Sequence, residues 1–179
     1  VANTWRNYVP KRILPADFEE WSADAFRQGI IRSGTITMKG DPSAFPFESE
    51  PERGSFDMKL NVEDVQLHYG PGWPDIMHVN GTVEGQGNNL LIQSESGQIA
   101  GFNFNKVTTT ISNLVKSNPI LKVSGLLNGS TSNALAFLKQ SPLKSRFGSI
   151  DDWLLAKGSS DIQLDLTVPL VDPDSAQVK

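Results

Sequence analysis

Two histidines, His68 and His78, flank the stretch HYGPGWPDI (68–76), and Asp75 is the nearest carboxylate. Facing each other across a hairpin, the two imidazoles could share a metal. A zinc site needs three or four protein ligands, however, and only one acid stands close by in sequence. Strand-end histidines in solvent are the plainer reading. Serine chemistry would need a strained nucleophile turn of the G-x-S-x-G kind. The serine-rich pieces SESG (94–97) and NGSTSN (128–133) read instead as turns and helix caps. Paired acids occur at Glu19-Glu20, Glu63-Asp64 and Asp151-Asp152. In a helical first turn such pairs favour the macrodipole. The glycines between Gly81 and Asn88 lead into a strand, so they cannot open a phosphate-binding helix. Asp172 and Asp174 lack the rest of a calcium loop. With no cysteine, thiol catalysis, thiolate metal sites and disulfides are excluded. The expectation is a protein with no catalytic residue, no metal and no cofactor.

Composition points the same way. The 179 residues suffice for one domain; 38% are hydrophobic and 20% charged, which excludes a disordered chain and a membrane-embedded one. A net charge of −4 argues against a nucleic-acid partner. The first residues, VANTWRNYVPKRILPADF, contain prolines and charges and lack a signal-type apolar run, and there is no initiating Met. The expectation is a segment of something longer.

The elements follow from periodicity. After an extended lead-in (1–15), Asp17 and Glu20 form an acidic capping box, and Phe18, Trp21, Ala25 and Phe26 follow at helical spacing up to Gly29. This predicts a helix over 17–28. Period two then dominates: strands are predicted over 30–40, 54–69, 76–84, 89–94, 98–114, 118–130 and 160–170, with a proline-rich loop over 41–53 and a turn over 85–88. The parity of apolar residues flips twice, at Glu63-Asp64 and at Asn105-Lys106, and each flip predicts a bulge. Ser132 caps a short helix over 133–139, and Ser149 with Asp152 another over 150–157. The tail, 171–179, is polar and predicted to fray. The fold class is mainly β (α+β): a curled antiparallel sheet, one domain over 1–179, with a short N-terminal helix and two short helices before the last strand.

Trp73 is out of place in a solvated turn between Gly72 and Pro74. Either the turn folds back on something apolar, or something apolar comes to it. The strand faces supply a candidate surface: Phe56, Met58 and Leu60; Met77 and Val79; Phe102 and Phe104; Leu121 and Val123; Leu164 and Leu166. The run 55–67 would span about 43 Å at about 3.3 Å per residue, long for a compact sandwich. One functional reading is an apolar groove, with Trp73 at its edge. A second is a β-sandwich binding module, for carbohydrate or protein, with Trp5, Trp73 and Tyr69 as stacking platforms. A third is a purely structural spacer.

Several pieces in order carry a resemblance: the lead-in YVPKRILPADFEEW, the FPF pair (Phe45, Phe47), the strand start GSFDMKLNVEDVQLHY, the turn with WPDIMHVNGTVEGQGNNLLI, GQIAGFNFNKVTTTISNL, and FLKQSPL (137–143). Together they resemble the YhdP branch of the AsmA-like proteins over nearly the whole chain. The resemblance implies an internal segment of a large envelope protein of Gram-negative bacteria, anchored in the inner membrane and mostly periplasmic. It further implies a bridge-like phospholipid transporter whose sheet forms an open apolar groove. The implied partners are phospholipid acyl chains and neighbouring segments of the same parent chain, and the implied lining is the set of strand-face residues above.

Overall fold

A computed structural model of the chain describes residues 16–116, 118–142, 144, 158–172, 175, 177 and 178. The lead-in 1–15 with Trp5, and the helix expected over 150–157 with its Ser149–Asp152 cap, lie outside the described residues.

The strands form one antiparallel sheet in plain sequence order: β1 (Phe26–Gly40), β2 (Gly54–Leu67), β3 (Ile76–Gln86), β4 (Asn89–Ile99), β5 (Phe102–Ser112), β6 (Ile120–Ser130), β7 (Ser159–Pro169) and the short β8 (Gln177–Val178). Within the polar tail, β8 pairs with Leu166 and Thr167. The sheet is not closed, because β1 pairs only with β2. Helix α1 (Ala16–Ala25) precedes it, and α2 (Thr131–Gln140) links β6 to the segment before β7. Among the described residues no helix is long and apolar enough to cross a membrane.

Several boundaries differ from the sequence reading; β4 runs on through the SESG piece (94–97), read as a turn, to Ile99. Helix α1 stops at Ala25, and Phe26 already belongs to β1. Gly29, read as the helix stop, lies inside β1 at φ 144° beside a register shift. The run 98–114 is not one strand: Ala100 (φ 47°) and Gly101 (φ 83°) make a two-residue hairpin turn between β4 and β5. Helix α2 begins two residues earlier than expected, at Thr131. Its cap is Ser130, whose Oγ accepts from the Asn133 N–H at 3.2 Å, in place of Ser132.

Both bulges read from parity are present. Val62 pairs with Gly81 and Val65 with Val79, so two residues of β2, Glu63 and Asp64, stand opposite one of β3, Asn80, with Asp64 at φ 51°. Asn105 pairs with Leu126 and Thr108 with Ser124, two residues of β5, Lys106 and Val107, against one of β6, Gly125, with Lys106 at φ 59°. The sequence reading lacks further irregularities: in β1, Arg32 is the extra residue between Ile31, opposite Val62, and Ser33, opposite Asn61. His78 in β3 has φ 54°, and in β4 Glu95 is the extra residue between Ser94, opposite Gly81, and Ser96, opposite Asn80. Traced through the pairings, these sites fall on one line across β1 to β5. Strands β6 and β7 pair without a shift from Ile120–Pro169 to Ser130–Ser159. Bulges bend strands and raise their twist, so a line of them bends the sheet along that line.

The strand ends are tied at two rims. At the helix end, the Trp21 indole N–H donates to the Tyr69 carbonyl at 3.3 Å, and Asn133 donates to the Gly101 carbonyl at 2.7 Å. At the loop end, the buried Asn88 accepts the Leu114 N–H on its carbonyl and the Val115 N–H on Oδ1. Its carboxamide donates to Glu48, which also meets Lys116 at 2.8 Å. Phe45, Phe47 and Phe56 pack edge to face there.

Candidate functional site

Residues opposite one another on paired strands point to the same side of a sheet. The register therefore sorts the two faces. One row crosses seven strands as Ile36, Met58, Gly85, Leu90, Ile111, Leu121 and Val168, and the next as Gly34, Leu60, Val83, Ile92, Thr109, Val123 and Leu166. The rows between them, on the other face, read Ser33, Asn61, Thr82, Gln93, Thr108, Ser124, Asp165 and Thr35, Lys59, Glu84, Leu91, Thr110, Lys122, Thr167. One face is apolar across the whole sheet; the other is polar.

The bulges keep the apolar face continuous. Beyond them it carries Leu67, Ile76, Ile99 and Phe102 in one row, and Gly97, Phe104, Leu127 and Ile162 in another. Without the extra residues the period-two alternation would turn this half outward.

The apolar face is thin. Among the described residues the buried apolar ones are Ala25, Phe47, Phe102, Phe104 and Val107 alone. Glycines explain how side chains on a single sheet become buried. A β-carbon at Gly129 would lie 2.6 Å from the Phe102 ring, one at Gly125 2.6 Å from Val107, and one at Gly97 would overlap the Phe104 ring. Each large side chain thus lies flat over a glycine of the neighbouring strand.

The sequence-predicted lining residues divide accordingly. Phe56, Met58, Leu60, Val79, Leu121, Val123, Leu164 and Leu166 lie on the apolar face and are half-buried. Phe102 and Phe104 lie on it too but are buried, at 3% and 7% exposure. Met77 does not join them: it pairs with Gln98 on the polar face, and Ile76 takes the apolar position. The left-handed backbone at His78 is the reason, because it breaks the alternation that placed Met77 with Val79. Trp73 lies off the sheet, with its ring 5.8 Å from Tyr69 and 6.0 Å from Phe137 of α2. The turn does fold back on apolar partners. The residues that parity reasoning missed are the glycines, whose role shows only once their neighbours are known.

The histidines are held apart by different acids. His68 Nδ1 lies 2.7 Å from Asp75 Oδ1, and His78 Nδ1 lies 2.7 Å from Asp64 Oδ1. Among the described residues no three His, Asp or Glu side chains gather as a metal site. Asp64 is held below the usual carboxylate range by the His78 and Gln28 hydrogen bonds. Desolvation raises the Asp75 pKa, and the Gln66 and His68 bonds with the Arg27 charge more than reverse it. Burial pushes the Tyr69 phenol up, aided by Asp75. A shallow hollow of about 290 Å³ lies on the polar face, between Arg32, Asn61, Glu63, Asn80, Thr82 and Glu95. Asn80 pins the bulge line there. Its Oδ1 accepts the Asp64 N–H at 3.0 Å, and its Nδ2 donates to the His78 carbonyl and to Ser96 Oγ, each at 3.0 Å. The Asp64 N–H and the His78 carbonyl are backbone groups at the bulges, which need partners outside the ladder.

No curated protein and no solved structure gives a significant match to the chain. The family profile described as "YhdP protein" matches residues 1–179. An unclosed, mainly β structure with one apolar and one polar sheet face is what the segments quoted above lead one to expect, and with the profile spanning every residue the chain belongs to the YhdP family of bacterial envelope proteins.

Proposed function

We propose that the chain is one length of an inter-membrane phospholipid bridge in the periplasm, and that its apolar face is an open groove shielding acyl chains from water. The observation that carries this reading is the continuous apolar face, half-exposed across seven strands, with a polar face behind it. Each methylene leaving water for that face gains about 0.8 kcal/mol, and the same gain recurs at every strand. A chain can therefore slide with no deep trap, and no catalytic group is required. Phe56, Met58, Leu60, Val79, Leu121, Val123, Leu164 and Leu166 are the proposed contact surface, with Trp73 at the rim. Phe102 and Phe104 form the layer beneath. Because the bulge line runs from strand to strand, the groove axis crosses the strands and continues into neighbouring segments of the parent chain at either edge. The parent's inner-membrane anchor lies elsewhere in this reading.

Native mass spectrometry of the purified chain tests it. The expected result is co-purified phospholipid, lost after delipidation and regained from vesicles. A chain that carries no lipid and takes none up would favour a spacer that shares the fold but not the traffic.

A further inference from the structure

Ser94 is a polar residue on the apolar face. It pairs with Gly81 on one side and Val107 on the other, at the bulge line, and it is 7% exposed. Three other polar residues are buried among those described. Asn88 bonds three loops, Ser141 Oγ donates to the Leu138 carbonyl, and Ser22 has its own partner. The Ser94 hydroxyl alone has none among the described residues. A buried hydroxyl without a partner destabilises a fold, and alanine would fit the same space.

The floor around it is narrow in composition. From β2 to β6 the row at the bulge line carries Val62, Gly81, Ser94, Val107 and Gly125, between Ile31 of β1 and Leu164 of β7; this middle stretch holds no leucine, isoleucine or phenylalanine, whereas Leu60 and Ile92 stand on one side of it and Phe104 and Leu127 on the other. No cation pairs into this row: Arg32 and Lys59 belong to the polar face, and Lys106, at the β5 bulge beside Val107, is exposed to solvent. A charged headgroup would find no counter-ion within the row itself. An acyl chain fits an apolar strip of small residues, and a neutral carbonyl at its end fits one hydroxyl donor.

We propose that the bulge line seats one acyl chain of a glycerolipid, and that Ser94 donates its hydroxyl to the chain's ester carbonyl. The site makes a shallow station in the groove, and it rests on the lipid-groove reading above. One neutral hydrogen bond of about 1 kcal/mol corresponds to about a fivefold preference for an ester over an ether of equal chain length.

The test offers the full chain mixed vesicles with equal amounts of ester-linked and ether-linked phosphatidylethanolamine of matched chains. The lipid bound to the re-isolated protein is then read by mass spectrometry. The native chain is expected to favour the ester about fivefold, and Ser94→Ala to take up both equally. Ser94→Ala should also melt at a higher temperature than the native chain when both are delipidated. Equal uptake of ester and ether by the native chain, or an ester preference retained in Ser94→Ala, overturns the Ser94 assignment while leaving the groove standing. Uptake of neither lipid overturns both.

Discussion

The two halves of the apolar face are built differently. Toward the helix end, Phe102 and Phe104 are buried flat on glycines of adjacent strands. Toward the loop end, Leu121, Val123 and Leu166 stay half-exposed. Both halves look alike as apolar alternation, yet among the described strand residues only the first holds side chains buried as in a core; at the loop end the buried ring is Phe47, from the loop before β2, lying over Gly54. The difference separates residues that hold the sheet together from residues free to meet a ligand.

The strongest way to break the comparison is a charge in the closed half. Phe102→Glu buries an unpaired carboxylate at a site 3% exposed. That should cost several kcal/mol of the 5–15 kcal/mol typical of a domain, about enough to abolish a cooperative melt. Next comes Gly97→Ala. Its methyl would collide with the Phe104 ring, lift it from the sheet, and cost about 1–3 kcal/mol in urea denaturation. Asn80→Ala acts on the bulge line from the polar face, leaving the Asp64 N–H and His78 carbonyl without their partner. A loss of about 1 kcal/mol is expected, since water reaches the site, with faster amide exchange at Asp64. Val123→Glu sharpens the contrast from the open side. The carboxylate stays near water, so the melting temperature should shift little, while lipid uptake should fall sharply.

The smallest effect is electrostatic. Asp41 is held at about 2 by the Ser43 hydrogen bonds first and then by Arg53. A depressed folded-state pKa contributes stability above the ordinary value near 4 that is lost as pH falls through about 2. Because the group is exposed, an acid titration of Asp41→Asn against the native chain should diverge only slightly, and only below about pH 4.

Much of the sheet was legible because period two is a direct consequence of one apolar face. Two bulges were legible for the same reason: a parity flip in a face that must remain apolar implies an extra residue. The β4–β5 hairpin was not, because Ala-Gly lacks the asparagine or aspartate that usually marks a turn with positive φ, and Ala100, Phe102 and Phe104 share one parity straight through it. Met77 was misplaced because a left-handed residue at His78 leaves no trace in the apolar pattern. The glycines at 97 and 129 read as turn residues and Gly125 as one position of a strand; only the neighbouring strand reveals that each is a bed for an aromatic or branched side chain. Ser94 is illegible for a related reason, since a serine beside Glu95 looks like a turn until the register puts it on the apolar face.

The central claim is that lipid meets one face and not the other, and neighbouring residues on β6 test it directly. Leu121 pairs with Val168 on the apolar face, and Lys122 pairs with Thr167 on the polar face. A photoreactive residue placed at each position in turn, in the full chain exposed to phospholipid vesicles, reports which side lipid touches. The account expects lipid crosslinks at 121 and none above background at 122. Equal crosslinking at the two positions, or none at 121, would contradict it.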